Sequence, residues 1–218
     1  MKFSSDAKIF SGIILATVII VIGGAIALSK QQSQLSVSED KVYSESELVA
    51  PDSWSLGKKD ARVWIVEFSD FQCPACANAH SMIKQVLEQY GEKIRFIYRN
   101  YPLPSHKLSK KAALAAEAAG EQGKYWEYHD KLFENQSVWS NESDPTKTFI
   151  LYAKEIGLDL NKFSNSLENK KFQGRIETDV AVGNTVNIIQ TPTFFINGMR
   201  LSDWTSFDQF KTEIEKRM

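Results

Sequence analysis

The longest unbroken apolar block in the chain comes first. From Ile9 to Leu28 it reads IFSGIILATVIIVIGGAIAL, without a charge, between Lys8 and Lys30. About 20 apolar residues rising 1.5 Å each cover a hydrocarbon layer of roughly 30 Å, so the pattern predicts a membrane-spanning helix over 9–28. Lys2 and Lys8, set against Asp6, give a small positive-inside bias that puts residues 1–8 in the cytoplasm. A cleaved signal peptide is the rival reading, because the AIA at Ala25–Ala27 fits a small-residue cleavage site. The length of the block favours an uncleaved signal-anchor, since signal h-regions run to about 7–15 residues. A buried core helix is a third reading, but the block starts two turns from the N-terminus and runs into SKQQSQ. No cysteine follows it, so a lipoprotein is not expected. Either membrane reading delivers the remainder to the extracytoplasmic side, where disulfides persist.

The pattern then lapses. Residues 29–50, with QQSQLSVSEDKVYSESE, show neither helical nor strand period and lack the apolar content to fold alone, which predicts a polar tether. Periodicity returns at RVWIVEFS, Arg62 to Ser69, a near-continuous apolar run suited to a buried central strand. Pro74 suits a first helical turn. The helix it opens has Met82, Ile83, Val86, Leu87 and Tyr90 on one face and stops at Gly91. KIRFIYRNYPLP is a second strand broken by Pro102 and Pro104, completing a βαβ unit. Helices are expected from about Lys107 to Gly120, from about Lys124 to Asn135, and from a cap at Asp144, with Pro145 in the first helical position, to Gly157. Two or three short helices then reach about Asn187. TPTFFINGMRLS gives two extended runs about the turn pair Asn197-Gly198. A last helix, about Ser206 to Arg217, turns Phe207, Phe210 and Ile214 inward. The layout predicts an α/β domain over 51–218 with a block of helices, about 107–187, inserted between the two halves of its sheet.

Composition adds little. The 218 residues suit one generous domain, and a net charge of −1 without a basic or acidic run gives no reason to expect a nucleic-acid partner. The chemistry is concentrated in SDFQCPACANAH, Ser69 to His80, which holds both cysteines of the chain. At a helix N-terminus the Cys73 sulfur meets unsatisfied N–H groups and the positive end of the helix dipole, so its thiolate is favoured and it becomes the nucleophile. Cys76 lies one turn deeper, placed to resolve a mixed disulfide formed on Cys73. A structural disulfide is a weak alternative, because so short a loop constrains the unfolded chain little. A zinc site on Cys73, Cys76 and His80 is also weak, since structural zinc takes four N/S ligands and no second C-x-x-C is present; His80 alone reads as a helix-surface residue. No metal and no cofactor are expected.

VEFSDFQCPACANAH together with TPTFFINGMRL resembles the DsbA-like branch of the thioredoxin superfamily, especially its membrane-anchored bacterial members. The resemblance spans about Pro51 to Met218, including the helical segment with AALAAEAAGEQGKYWEYHDKLFE. It implies a thioredoxin-like fold with an inserted helical domain and dithiol–disulfide exchange on secreted proteins. Cys73 and Cys76 match the redox pair. Pro192 matches the family's cis-proline, which lies against the disulfide and presents backbone to an extended substrate. Thr191 matches the residue before it, which tunes redox behaviour. Glu67, six residues before Cys73, matches a buried acid that moves protons beneath the disulfide. From the strand alone, Glu67 reads equally as a buried acid of shifted pKa or a solvated edge residue. Pro192 alone would read as a strand-start proline. Ala75 departs from the family, whose best-studied oxidases carry histidine there, and the departure bears on oxidising strength. The leading expectation is a membrane-tethered, monomeric enzyme that donates its disulfide to cysteine-containing secreted proteins and is reoxidised by a membrane partner of DsbB or VKOR type. A tethered reductase or isomerase, and a chaperone-like binding module with secondary redox activity, are the alternatives.

Overall fold

The computed structural model describes residues 22–24, 41–202 and 204–218. The chain divides into two units, Met1–Glu39 and Asp40–Met218. In the first, residues 22–24 are helical and exposed; the rest of the 9–28 block and residues 29–40 lie outside the described residues. No helix among the described residues is long and apolar enough to cross a membrane.

The second unit is built on a five-stranded sheet in the order β1-β3-β2-β4-β5. The strands are β1 Trp54–Gly57, β2 Val63–Ser69, β3 Ile94–Asn100, β4 Thr193–Ile196 and β5 Met199–Arg200. β2 and β3 are parallel and every other pair is antiparallel. The parallel pair is joined by α2, Pro74–Tyr90, as a βαβ unit demands. α1 is the short Glu45–Leu48. Between β3 and β4 run α3 Ser109–Gly120, α4 Tyr125–Glu134, α5 Gln136–Trp139, α6 Thr146–Glu155, α7 Leu160–Glu168 and α8 Gln173–Thr185, and α9 Phe207–Glu215 closes the chain. Pro145 is the N-cap of α6 rather than its first helical residue, and the Asp144 carboxylate caps from outside, accepting the Thr146 N–H at 3.1 Å.

β2 is apolar on both faces because both are covered. Val63 and Ile65, with Ile94 and Phe96 of β3 and Phe194 and Ile196 of β4, pack against Met82, Ile83, Val86 and Tyr90 of α2 and Phe210 and Ile214 of α9. Val66 and Phe68, with Ile97 and Phe195, form a second core with Tyr101, Val186 and Ile188. The inserted helices extend the first core through Tyr128, Leu132, Trp139, Phe149 and Phe163.

Two expectations need correction. The end of the segment read as tether is folded. Val42 bridges to Met199, the Tyr43 N–H donates to the Gly198 carbonyl at 2.9 Å, and Tyr43 and Leu48 are buried in the second core. Two apolar anchors in a polar stretch make no period, and their partners lie far along the chain, so the local pattern could not show them. Gly198 permits this contact: it has φ +82, and a Cβ there would run into the Tyr43 carbonyl. With Asn197 at φ 49 it makes the hairpin turn of the type the Asn-Gly pair predicts. The second correction is β1, which sequence reading missed. It is an edge strand of only four residues, half exposed in alternation, and therefore lacks a continuous apolar signal.

Candidate active site

β2 ends at Ser69 and α2 begins at Pro74, so residues 70–73 form the turn that presents the cysteines. Side chains from other elements fix this turn. Buried Asp70 accepts hydrogen bonds from the Gln72 N–H at 2.7 Å and the Leu103 N–H at 2.8 Å; His106 Nδ1 is 2.7 Å from its carboxylate, and the Ser109 hydroxyl also donates to it. Gln136 of α5 donates from its amide to the carbonyls of Phe71, at 2.7 Å, and Cys73, at 2.9 Å. An isolated sequence gives no sign of Gln136 or Asp70, whose partners lie 65 and 33 residues away.

Cys73 is the N-cap of α2, with Pro74 next, and Pro74 and Ala75 are exposed beside it. Both cysteines are free thiols. Their environments differ sharply. The Cys73 thiol is lowered to about 5, first by the Cys76 thiol, against the opposing effect of burial, and then by Thr191 and the N–H groups of Cys76 and Ala75. Cys76, fully buried, is pushed well up by desolvation, by the hydrogen bond it gives Cys73 and by the nearby Glu67 charge. Its sulfur accepts the Asp70 N–H at 3.4 Å. A thiolate at the helix end, with a neutral thiol one turn deeper, is the arrangement of a nucleophile and its resolving partner.

Thr191 and Pro192 reach the pair from the opposite side. The bond between them is cis, and the Cys73 thiol donates to the Thr191 carbonyl at 3.3 Å. The Thr191 hydroxyl is buried with no other partner among the described residues. Glu67 is 3% exposed, which decides between the two sequence readings in favour of a buried acid. Burial raises its carboxyl to about 8, so it is mostly protonated at neutral pH. The structure therefore brings Cys73, Cys76, Thr191, Pro192 and Glu67 together. His80 is corrected: it is buried, not a helix-surface residue, and its Nε2 sits 2.8 Å from Asp130 of α4. Its ring stacks on Phe133 at 5.1 Å, an aromatic pocket that outcompetes solvent for an imidazole.

Residues 50–216 match a family model described as Thioredoxin. A curated relative, a protein named Na(+)/H(+) antiporter NhaA 3 from Salinispora tropica, is 39% identical over 145 residues, 66% of this chain. The chain spans about a fifth of the length of such relatives, 21% in this case. BdbD from Bacillus subtilis, in its oxidised crystal structure, is 28% identical with a TM-score of 0.70, over 81% of this chain and 95% of that one. A thioredoxin-like oxidoreductase from Silicibacter pomeroyi is 25% identical with a TM-score of 0.66, over 79% and 95% of the two chains.

Proposed function

The chain belongs to the thioredoxin family, and from that premise we propose that it is an extracytoplasmic thiol–disulfide oxidoreductase that donates the Cys73–Cys76 disulfide to secreted proteins. One observation carries the direction: Cys73 caps the N-terminus of α2, where the Cys76 thiol and the N–H groups of Cys76 and Ala75 lower its thiol, while Cys76 is fully buried one turn deeper. Stabilising the Cys73 thiolate stabilises the reduced form, and an enzyme whose reduced form is stabilised is an oxidant. In the reaction, a client thiolate attacks Cys73 Sγ, the Cys73–Cys76 bond breaks, and its electron pair goes to Cys76, which takes a proton from Glu67. A second client thiol then attacks the mixed disulfide, releasing Cys73 as its stable thiolate. Reoxidation by a membrane partner of DsbB or VKOR type runs the exchange in reverse. Thr191 and Pro192 hold the extended client against Cys73. No metal or cofactor enters these steps, and the protein works as a monomer. The antiporter activity in the names of the curated relatives is not carried over, because this chain spans only about a fifth of them.

Equilibration of the protein against glutathione buffers tests the direction. A disulfide donor is expected above about −180 mV, whereas a value near the roughly −270 mV of a reductase reverses the assignment. Cys73→Ser should abolish exchange with a reduced, unfolded client; retention of full client-protective activity without exchange would favour a chaperone module.

The location rests on the uncharged 9–28 block, read as an uncleaved anchor with the domain outside the cytoplasm. A reporter enzyme active only outside the cytoplasm, fused after Met218, is expected to be active and membrane-bound. Activity from a reporter that works only in the cytoplasm would overturn the location.

A further inference from the structure

The sheet face beneath α2 carries a buried polar row that packing does not explain. Glu67 and Ser69 are two apart on β2 and so project from the same face. In the parallel register Glu67 lies beside Tyr98 and Ser69 beside Asn100. None of the four is more than 3% exposed. Cys76 sits at the Ser69 end of the row, its sulfur on the N–H of the next residue, Asp70. Beside Ser69 on the neighbouring strand, Asn100 Nδ2 donates to Glu117 at 3.0 Å, and Trp54 Nε1 donates to the second carboxyl oxygen at 3.0 Å. That oxygen is 3.4 Å from Arg175 Nε, and Arg175 in turn meets Asp52, whose side chain is 65% exposed. The row therefore runs from the buried thiol to the surface. Tyr125 flanks it, its ring 6.3 Å from that of Tyr98.

Along this row the hydroxyls of Ser69, Tyr98 and Tyr125 and the Oδ1 of Asn100 have no hydrogen-bond partner among the described residues. Each unpaired buried polar atom costs about 1–3 kcal/mol. Such atoms in folded proteins are met by ordered water, and four in one row make a polar site that can hold it. Hydroxyls and water both donate and accept, so a file of them passes protons. We propose that the hydroxyls of Ser69, Tyr98 and Tyr125, bridged by buried water that Asn100 Oδ1 helps to hold, carry protons between Glu67 and Glu117, with Glu117 as the outlet to solvent beside Arg175. The proposal rests on the exchange chemistry above and says how its buried acid is charged and discharged.

The two end carboxyls suit the task. Burial raises Glu67 to about 8 and Glu117 to about 7, so both change protonation near neutral pH. Facing Glu67 are Cys73 and Cys76 from α2, Ser69 from its own strand and Tyr98 from β3. Facing Glu117 are Arg175 and Asp179 from α8, Tyr125 from α4, Trp54 from β1 and Asn100 from β3. During oxidation by a small disulfide, the Cys73 thiolate attacks, a bond to one half forms and the other half leaves as thiolate. Cys76 then passes its proton to Glu67 and attacks Cys73 Sγ. The Cys73–Cys76 bond forms and the second half leaves with the electron pair of the broken bond. The proton continues to Glu117 and out. Reduction by a client draws one proton inward along the same file.

The test mixes the reduced full-length protein with glutathione disulfide near neutral pH. It follows, by quenched mass spectrometry, first formation and then resolution of the mixed disulfide on Cys73. Glu117→Gln and Tyr125→Phe are each expected to slow resolution about tenfold, less than the roughly 10²-fold that loss of a direct acid–base group such as Glu67 removes. The initial attack by Cys73 should keep its wild-type rate. In a Glu67→Gln background, Glu117→Gln should cause no further slowing, because the two act in series. Tyr125→Phe also separates transport from packing: a merely stranded hydroxyl, once removed, would raise stability and leave resolution unchanged. Wild-type resolution rates in both variants, or losses fully additive with Glu67→Gln, would overturn the path alone. Failure of the unsubstituted protein to form any mixed disulfide on Cys73 would overturn the oxidoreductase reading and the path with it.

Discussion

A brief alkylation pulse at neutral pH is expected to label Cys73 of the reduced protein and leave Cys76 unlabelled, with a rate ratio of several orders of magnitude. A thiol whose pKa is about 5 is almost entirely thiolate at pH 7, and the thiolate is the reactive species. Cys76 has the opposite environment, with its pKa raised and its side chain fully buried. The same asymmetry sets a pH dependence. The folded-state pKa of Cys73 is depressed, so its ionisation stabilises the reduced protein fully above the unfolded value near 9, and the contribution is lost as pH falls through about 5. The disulfide form has no such group. The stability advantage of the reduced over the oxidised protein should therefore shrink steadily from about pH 9 to pH 5 and level off below it. Glu67, raised to about 8, acts with the opposite sign: its protonated state is favoured in the fold, so its contribution is present below about 4.5 and lost as pH rises through 8. Glu67 is present in both redox forms and largely cancels in their difference. Denaturant titrations of the two forms across this range measure the gap, and mass spectrometry of the pulse identifies the labelled thiol. First reaction at Cys76, or a gap that widens as pH falls, would contradict the assignment of Cys73 as nucleophile.

What the sequence could show was set by how local each cause is. The placement of Cys73 at a helix N-terminus follows from a strand running into a proline-started helix, all within Arg62 to Gly91, whereas its contact with Thr191 comes from 118 residues along the chain. The Asn197-Gly198 turn and the apolar faces of α2 and α9 are equally local. The burial of Glu67 is not: it depends on β3 and β4 closing on either side of β2, so the strand alone left buried and solvated readings equal. Glu117 stands alone among alanines in KKAALAAEAAG, which could have marked it as an acid on a packed helix face. Nothing local pointed to Trp54, Asn100 and Arg175 as its partners. Asp70, Gln136 and His80 were hidden for the same reason. Their hydrogen bonds join elements 33 to 65 residues apart, and polar residues read one at a time look solvated.

The largest loss of stability is expected from Asp179→Ala. Arg99 is fully buried on β3, and its Nε lies 2.6 Å from Asp179 Oδ1 of α8. One Nη of the same guanidinium donates to the Leu48 carbonyl at 2.7 Å, so a single cation joins α1, the sheet and the inserted helices. The second Asp179 oxygen accepts the Asn100 N–H at 2.9 Å. Burial pushes the Asp179 carboxyl up, and the Arg99 charge, pulling the other way, is what makes the ionised form tolerable there. Alanine would remove the only carboxylate paired with Arg99 among the described residues and strand a backbone donor beside it. Breaking a buried pair from one side costs about 3–5 kcal/mol, because the remaining charge stays desolvated. That is a large share of the roughly 5–15 kcal/mol by which a domain is stable. Asp179→Asn, which keeps the shape and an acceptor for the Asn100 N–H, should lose less than Asp179→Ala. Because Asn100 also hydrogen-bonds Glu117, the loosened N–H should appear as faster amide exchange at Asn100 before global unfolding. Denaturant midpoints of the two variants, compared at unchanged m-value, decide the matter. A loss below about 1 kcal/mol for Asp179→Ala would mean that water reaches Arg99 and that the pair is not buried as described.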